Sequence, residues 1–414
     1  MTRYKGLMLI GDGMADRPVP DLAGKTCLEA ANTPNLDRAA AEGALGLLDT
    51  VAPGLRVGSD TAHLSLLGYD PRETYTGRGP LEAMGVGLEV KRGDIGFRCN
   101  FATVDDKMIV TDRRAGRIRE RTNELAHAIN QIGSLEGVQI IFRESTEHRG
   151  ALILRGEGLS DKITDNVDPH EEGHPVGQCA PLDPNDKAAN FTARVVNEFV
   201  RRSYQVLKDH PLNRERIGAG ENPANIIIPR GAGVAPHLKP FHEVHGLSAA
   251  CVVEVGLIRG LGRYLGFDVA DAPGSTGSLD TDLDSIARTV LAALETHDFV
   301  LCNVKGPDIA GHNGDAPAKV KIIERIDAMV GGILPQLLDR TVLTVLADHA
   351  TPVVTLDHTG DPVPFLLWGP GVLTDCSQAY HERAASGGGL GRFSGLHLVH
   401  VMTNLMNVQE KFGA

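Results

Sequence analysis

The apolar positions of the chain fall into short unbroken runs, and three of them stop at a polar cluster. GLMLI (6–10) runs into Gly11-Asp12-Gly13, FVLCNV (299–304) into Lys305 and the residues up to His312, and TVLTVL (341–346) into Ala347-Asp348-His349. Runs of this length, apolar throughout instead of alternating, mark strands buried on both faces, as in parallel sheets. Between them lie segments of helical periodicity: TPNLDRAAAEGAL, DSIARTVLAALETH and PAKVKIIERIDAMVGGIL. Thr33 ahead of Pro34 predicts an N-capped helix start. Strand–helix alternation predicts an α/β fold with a mainly parallel central sheet flanked by helices. Ligands of such open sheets gather at the carboxyl ends of the strands, where these runs place Asp and His.

The pattern shortens and turns polar in the middle, through TDRRAGRIRER, IIFRESTEHRG and ALILR to a Pro/Asp/His-rich connector, TDNVDPHEEGHPVGQCAPLDPND. This predicts a smaller inserted domain of α+β type over 91–180, within a core formed by 1–90 and 181–414. A long helix over about 186–209 and a strand in ANIIIPRG are expected to return to that core. There is no internal repeat, heptad array or low-complexity tract.

At 414 residues, with 42% hydrophobic and 23% charged residues, the chain has ordinary globular composition and can bury a sizeable core. A net charge of −12 argues against nucleic acid as the partner, which needs a basic face to displace counterions. It leaves room for an anionic small molecule, because a few arginines or a metal override the global field locally. The six cysteines are scattered without a CxxC pair, as expected of reduced thiols in a cytosol. The first apolar run is too short for a signal peptide, and no stretch approaches a membrane span. A cytoplasmic protein without a membrane partner is expected.

Asp308 and His312 are four apart, the spacing of one helical face, although the glycines at 306, 311 and 314 argue against a regular helix. One such pair is most often a cap and a surface histidine. It has company, however. Asp348 and His349 follow a second strand, His358 precedes the next apolar run, and Asp12 sits between two glycines after the first strand. Six carboxylates and imidazoles at four strand ends are too many for independent capping. They predict a dinuclear site for divalent ions, since these O and N donors suit Mn²⁺, Zn²⁺, Co²⁺ and, less comfortably, Mg²⁺.

In LRVGSDTAHLSLLGYDP, Ser59 follows Gly58 and opens a helix. A hydroxyl there is ordinarily an N-cap. Beside a metal site it becomes a candidate nucleophile, with the helix N-terminus stabilising the phosphoryl group it accepts. Thr61 falls inside the first turn and His63 reads as a structural hydrogen-bonding residue.

Taken together, IGDGMADRP, TPNLDRAAAEG, GSDTAHLSLLGYDP, VKGPDIAGHNGD, ADHATP and HTGDPVPF resemble the archaeal-type 2,3-bisphosphoglycerate-independent phosphoglycerate mutases, of the alkaline phosphatase-like superfamily of metalloenzymes. The resemblance runs in order from about residue 5 to 400. It implies an alkaline phosphatase-like core and an inserted cap. It also implies one ion held by Asp308, His312 and His358 and a second by Asp12, Ser59, Asp348 and His349. Ser59 would be phosphorylated during turnover, with no 2,3-bisphosphoglycerate required. Mn²⁺ is the metal expected.

A small phosphorylated substrate needs cations for its phosphate and carboxylate, a task suited to the guanidinium fork. Arg113, Arg114 and His148 in the insertion and Arg259 in the core are the preferred candidates, partly because similar motifs line the family's substrate site. Arg117, Arg149 and Lys305 are further ones, and FRCNFAT (Arg98, Asn100) carries no assigned role. The expected reaction is interconversion of 2- and 3-phosphoglycerate through a phosphoserine, in glycolysis and gluconeogenesis. The alternative is a metal-dependent phosphohydrolase or a phosphotransferase to another small alcohol such as homoserine.

Overall fold

The computed structural model describes residues 2–337, 340–409, 411 and 413. The chain divides into two compact units, Met1–Tyr75 with Leu238–Ala414, and Thr76–His237.

The first unit is built on an eight-stranded sheet in the order Asp268–Val269, Ala249–Val253, Phe299–Val304, Lys5–Gly11, Thr341–Leu346, Val363–Trp368, Ala44–Asp49, Gly391–Ser394. The first five strands are mutually parallel. Val363–Trp368 is antiparallel to both neighbours, and Gly391–Ser394 is parallel to Ala44–Asp49. The expected α/β architecture with a mainly parallel sheet is therefore present. Every residue of Phe299–Val304 and Thr341–Leu346 is buried, as their unbroken apolar runs require. The register sets Leu9 beside Cys302 on one side and Val345 on the other, so the three chemistry-bearing strands lie side by side and end together. Helix Ala316–Leu337 packs against Pro34–Ala41, Leu283–Thr296 and Gly306–Asn313.

Two local expectations change, and one open alternative is decided. Pro34 does open its helix, but the Thr33 hydroxyl makes no cap bond. Asp327 takes over, accepting from the backbone N–H of Asn35 and Leu36 at 3.0 and 2.8 Å, a tertiary cap that no local spacing reveals. Gly306–Asn313 is a helix despite its glycines. Gly311 is needed for close packing, since a Cβ there would lie 2.3 Å from the Thr351 carbonyl oxygen, and Gly314 at φ 69° ends the helix. At Ser59–Leu66 the N-cap residue is Gly58, so Ser59 is the first helical residue and its hydroxyl does not cap.

The second unit carries a six-stranded antiparallel sheet in the order Val110–Asp112, Ile95–Val104, Arg149–Arg155, Val138–Glu144, Ser134–Leu135, with Ile226–Val234 also paired to Ile95–Val104. Helix Lys187–Leu207, capped by Asp186, packs on Ile226–Val234 and on Thr122–Asn130. The helix and strand expected to return to the core thus belong here, and the unit runs from 76 to 237 instead of 91 to 180. The cause is strand pairing: Ile226–Val234 is hydrogen-bonded to Ile95–Val104 along seven residue pairs. Its side chains join Phe101, Phe142 and Phe199 in one core. Pairing between distant strands leaves no mark in local composition. Among the described residues, no helix is long and apolar enough to cross a membrane.

Candidate active site

Because Lys5–Gly11, Phe299–Val304 and Thr341–Leu346 are parallel neighbours, the residues just past their carboxyl ends converge. The Asp12 N–H donates to the Val304 carbonyl at 3.0 Å, and the Gly13 N–H donates to Asp348 Oδ1 at 3.0 Å. Gly13 has φ +60°, and a Cβ there would sit 2.5 Å from Thr351 Oγ1 and 2.8 Å from Asp308 Oδ1. Only glycine fits between the strand ends.

Two groups of candidate ligands result, Asp308 with His349 and His358, and Asp12 with Asp348 and His349, each with its donor atoms within 4.8 Å of one another. His312 extends the first: its Nε2 is 3.5 Å from Asp308 Oδ1 and 3.2 Å from His358 Nε2, which is itself 3.3 Å from the same carboxylate oxygen. All six residues named from the sequence are therefore brought together. Ser59 joins them, its Oγ 3.2 Å from His349 Nε2. His349 stacks on His358 with ring centroids 3.7 Å apart.

Hydrogen-bond directions decide whether this donor set fits a metal. His312 Nδ1 donates to the Leu356 carbonyl at 3.0 Å and His358 Nδ1 to the Val57 carbonyl at 2.8 Å. With both Nδ1 atoms committed, the two Nε2 atoms face each other 3.2 Å apart beside the Asp308 carboxylate, and as neutral rings they oppose lone pair to lone pair. That arrangement is repulsive until a proton, bonding His358 to Asp308, or a metal cation displacing that proton enters it. Asp348 Oδ2 is buried without any hydrogen-bond partner, a further acceptor awaiting a cation. Backbone-oriented imidazoles with free Nε2 atoms are the arrangement metal ligands adopt. The residues fit the pair of ions.

Lys305, one residue past its strand, contacts Asp12 Oδ1 at 2.8 Å and Asp308 Oδ2 at 2.7 Å. Burial opposes the charge on Lys305, but Asp12 and Asp308 outweigh it and raise the ammonium pKa. Burial likewise opposes ionisation of Asp308, yet the His358 hydrogen bond and the Lys305 charge hold this carboxyl well below the usual range. Asp12 is pushed up, by burial first and then by Asp348. His349 is pushed down to about 3, chiefly by burial, and so stays neutral. His63 is structural: its Nδ1 donates to the Ser59 carbonyl at 2.6 Å while its Nε2 accepts from Asn303 Nδ2 at 3.3 Å. Asn303 Nδ2 also reaches Asp12 Oδ2 at 3.1 Å.

The basic candidates distribute unevenly. Arg259, on helix Gly256–Tyr264 of the first unit, pairs with Asp271 at 2.5 Å. Arg113, Arg114 and His148 lie in the second unit, where Arg113 makes a bidentate pair with Asp168 at 3.0 and 2.7 Å. His148 is buried with Nδ1 unpartnered and is pushed down to about 4, by burial first and then by Arg149. The sheet register adds residues to this cluster, because Arg98 stands directly opposite Arg230 and Asn100 opposite Arg149. Arg98 is lowered to about 10, by burial and then by Arg78, and its Nε has no acceptor. Like charges opposed across a ladder are destabilising on their own. This face of the second unit suits an anion.

The family description of 2,3-bisphosphoglycerate-independent phosphoglycerate mutase matches residues 40–213. A protein of that name from Methanosphaera stadtmanae is 52% identical over 412 residues, covering 99% of this chain and 100% of the relative. One from Methanothermobacter thermautotrophicus is also 52% identical, over 413 residues, with 99% and 100% covered. This chain belongs to the 2,3-bisphosphoglycerate-independent phosphoglycerate mutases. The solved cofactor-independent phosphoglycerate mutase of Thermoplasma acidophilum superposes with a TM-score of 0.73 at 35% identity, covering 97% of this chain and 100% of that one.

Sequence reasoning passed over several groups, some beside the candidate ligands of the first unit and others in the basic cluster of the second. Thr351 and Asn303 contact candidate ligands but belong to ordinary residue types, and nothing in their spacing marks them. Arg78 and Arg230 were missed because the register that gathers the arginines is tertiary. Lys305 was named only for its neighbourhood. Its place after a strand and before Pro307 was the available signal.

Proposed function

We propose that the chain interconverts 2-phosphoglycerate and 3-phosphoglycerate, with Ser59 carrying the phosphoryl group between the two hydroxyls. The observation that supports this most directly is the placement of the Ser59 hydroxyl. It heads a helix, caps nothing, and faces His349 Nε2 at 3.2 Å beside the carboxylates of Asp12 and Asp348. In the forward half-reaction the bond from Ser59 Oγ to phosphorus forms as the bond from phosphorus to the substrate oxygen breaks. The proton lost by the serine ends on the departing glycerate oxygen. The return step delivers the phosphoryl group to the other hydroxyl and restores the serine.

Asp308, His312 and His358 would hold one divalent ion and Asp12, Ser59, Asp348 and His349 the other, with Mn²⁺ as the proposed metal. When bound, such a pair neutralises the non-bridging phosphoryl oxygens and lowers the serine pKa. The N–H groups of the Ser59–Leu66 N-terminus add favourable dipoles for the phosphoryl group on Ser59. Lys305 supplies a fixed positive charge between Asp12 and Asp308. Arg113, Arg114 and His148, with Arg98 and Arg149, are proposed to hold the substrate's carboxylate or phosphate, and Arg259 is proposed to assist. The compensation by too few carboxylates, Asp168 and Glu82 among them, favours this assignment.

The test is an enolase-coupled assay with Mn²⁺ and no 2,3-bisphosphoglycerate, together with intact mass after mixing with 3-phosphoglycerate. The expected results are interconversion and one phosphate adduct mapped to Ser59. Release of free phosphate at the rate of turnover, without the isomer, would replace this reading by hydrolysis.

A further inference from the structure

One hydroxyl touches both groups of candidate ligands, and the chemistry above does not use it. Thr351 is fully buried, two residues past His349. Its Oγ1 lies 2.7 Å from Asp308 Oδ1 and 3.1 Å from His349 Nδ1. Its backbone is anchored on both sides: the N–H donates to the Ala15 carbonyl at 3.3 Å, and the carbonyl accepts from Lys319 Nζ at 2.9 Å. The hydroxyl is thus held at one place between Asp308 and His349.

A hydroxyl has a single proton to give. Asp308, whose other oxygen meets the Lys305 ammonium at 2.7 Å, is an acceptor, so the Thr351 proton points to Asp308. Toward His349 the hydroxyl oxygen is therefore the acceptor, and His349 Nδ1 must carry the ring hydrogen. That leaves His349 Nε2 as a lone pair, 3.2 Å from Ser59 Oγ, 3.4 Å from Asp348 Oδ2 and 3.6 Å from Asp12 Oδ1. His312 and His358 are set in the same tautomer by backbone carbonyls, which no substitution removes. His349 depends on a side chain.

We infer that Thr351 is a positioning residue that fixes the Nδ1–H tautomer of His349 and, holding Asp308 with the same hydroxyl, couples the two ligand groups. The inference rests on the assignment of these residues as metal ligands. On that assignment His349 holds the ion shared with Asp12, Ser59 and Asp348, so loss of the tautomer weakens that ion directly, while the freed Thr351 contact loosens Asp308 in the other group.

The experiment is imidazole nitrogen NMR on the full-length chain, stripped with a chelator and labelled at histidine, with His349 assigned from the spectrum of His349→Gln. Calorimetric titration with Mn²⁺ accompanies it. Wild type is expected to show His349 as Nδ1–H. Thr351→Val, close to isosteric, is expected to populate Nε2–H and to bind Mn²⁺ about 10–100-fold more weakly, the usual effect of losing a group that orients a ligand. Thr351→Ser keeps the hydroxyl and is expected to match wild type in both. His349 found as Nε2–H in the wild-type chain overturns the inference, and that measurement needs no variant to fold. So does a valine variant with unchanged spectrum and affinity, or a serine variant as impaired as valine, which would assign the effect to the methyl. A chain inactive as a mutase that still shows the Thr351-dependent tautomer defeats the functional proposal and leaves this inference standing.

Discussion

Nε2 of His349 stands 3.2 Å from Oγ of Ser59, although 290 positions of sequence separate them. Both atoms are fixed from behind. Ser59 is the first residue of a buried helix, and His349 is gripped through Nδ1 by the Thr351 hydroxyl. If Ser59 is the nucleophile proposed above, a serine so held has a defined direction of attack, which is what an in-line transfer demands. Ser59→Ala should therefore lower turnover by at least about 10⁴-fold, the scale seen when a nucleophile is removed. The phosphate adduct should vanish in the same variant. An alanine variant that keeps a tenth of wild-type turnover removes Ser59 from the reaction.

Proton competition at the ligands gives the second prediction. His349, pushed down to about 3, remains neutral across any working pH and does not set an acid limit. His358 behaves oppositely. Burial opposes its charge, but the Asp308 hydrogen bond and the Val57 carbonyl prevail and raise its pKa above the ordinary 6.5. A raised histidine pKa means the proton is held below that value and released above it. Metal binding must displace that proton, so Mn²⁺ affinity and activity should fall as pH drops through the window that begins above 6.5. Excess Mn²⁺ should restore activity there. An acid limb indifferent to metal concentration would count against His358 as a ligand.

How much of this was legible follows from where each signal lives. Asp12, Asp308, Asp348 and His349 each stand within a few residues of an unbroken apolar run, so strand and candidate ligand were readable from one local pattern. Ser59 was legible as a helix start, though its freedom from capping depended on Gly58 taking the cap position. The second unit was not legible in extent, because the pairing of Ile226–Val234 with Ile95–Val104 is a tertiary fact. The same register gathers Arg98 and Arg230, which local sequence leaves more than a hundred positions apart. The glycines of Gly306–Asn313 misled for a related reason: Gly311 answers to the Thr351 carbonyl, a neighbour that sequence spacing hides.

Lys305 separates charge at the reaction from charge at the metal. Its ammonium lies between Asp12 and Asp308, both candidate ligands, so it competes with cations for the same oxygens. Lys305→Met should leave Mn²⁺ affinity unchanged or tighter. Its turnover should fall about 10²–10³-fold, as for loss of one preorganised group facing developing charge. Parallel steady-state kinetics and calorimetry decide it. Weaker metal binding in proportion to the lost turnover would mean that Lys305 serves the site's structure alone.

Glu382 lies behind the Asp12 loop and gives a stability prediction with a defined sign. Its Oε1 accepts from the Asp16 N–H at 2.9 Å and its Oε2 from Thr26 Oγ1 at 2.6 Å. Burial, only partly offset by these donors, pushes its carboxyl up from 4.5 to about 7. The folded state therefore binds this proton more tightly than the unfolded state does. The contribution to stability is full below 4.5 and is lost as pH rises toward about 7. Melting temperatures measured from pH 5 to 8 should show that decline, and Glu382→Gln should flatten it. A glutamine variant with the wild-type slope would place the decline elsewhere.

Lys319 is wholly buried and braces the loops that carry the candidate ligands. Its Nζ donates to the carbonyls of Ala15 and Thr351 at 3.1 and 2.9 Å and pairs with Asp16 Oδ2 at 2.9 Å. Lys319→Met would leave the Asp16 carboxylate and two carbonyls without their cation, and breaking a buried pair from one side costs about 3–5 kcal/mol. The double variant Lys319→Met/Asp16→Asn removes the stranded charge while keeping an amide oxygen to accept from Arg17 and Val353. It should recover part of the loss, a coupling that urea titrations of the wild-type chain and the three variants can read. If the single lysine variant costs less than about 1 kcal/mol, water or a loop rearrangement is satisfying Asp16 and the brace is weaker than its burial implies.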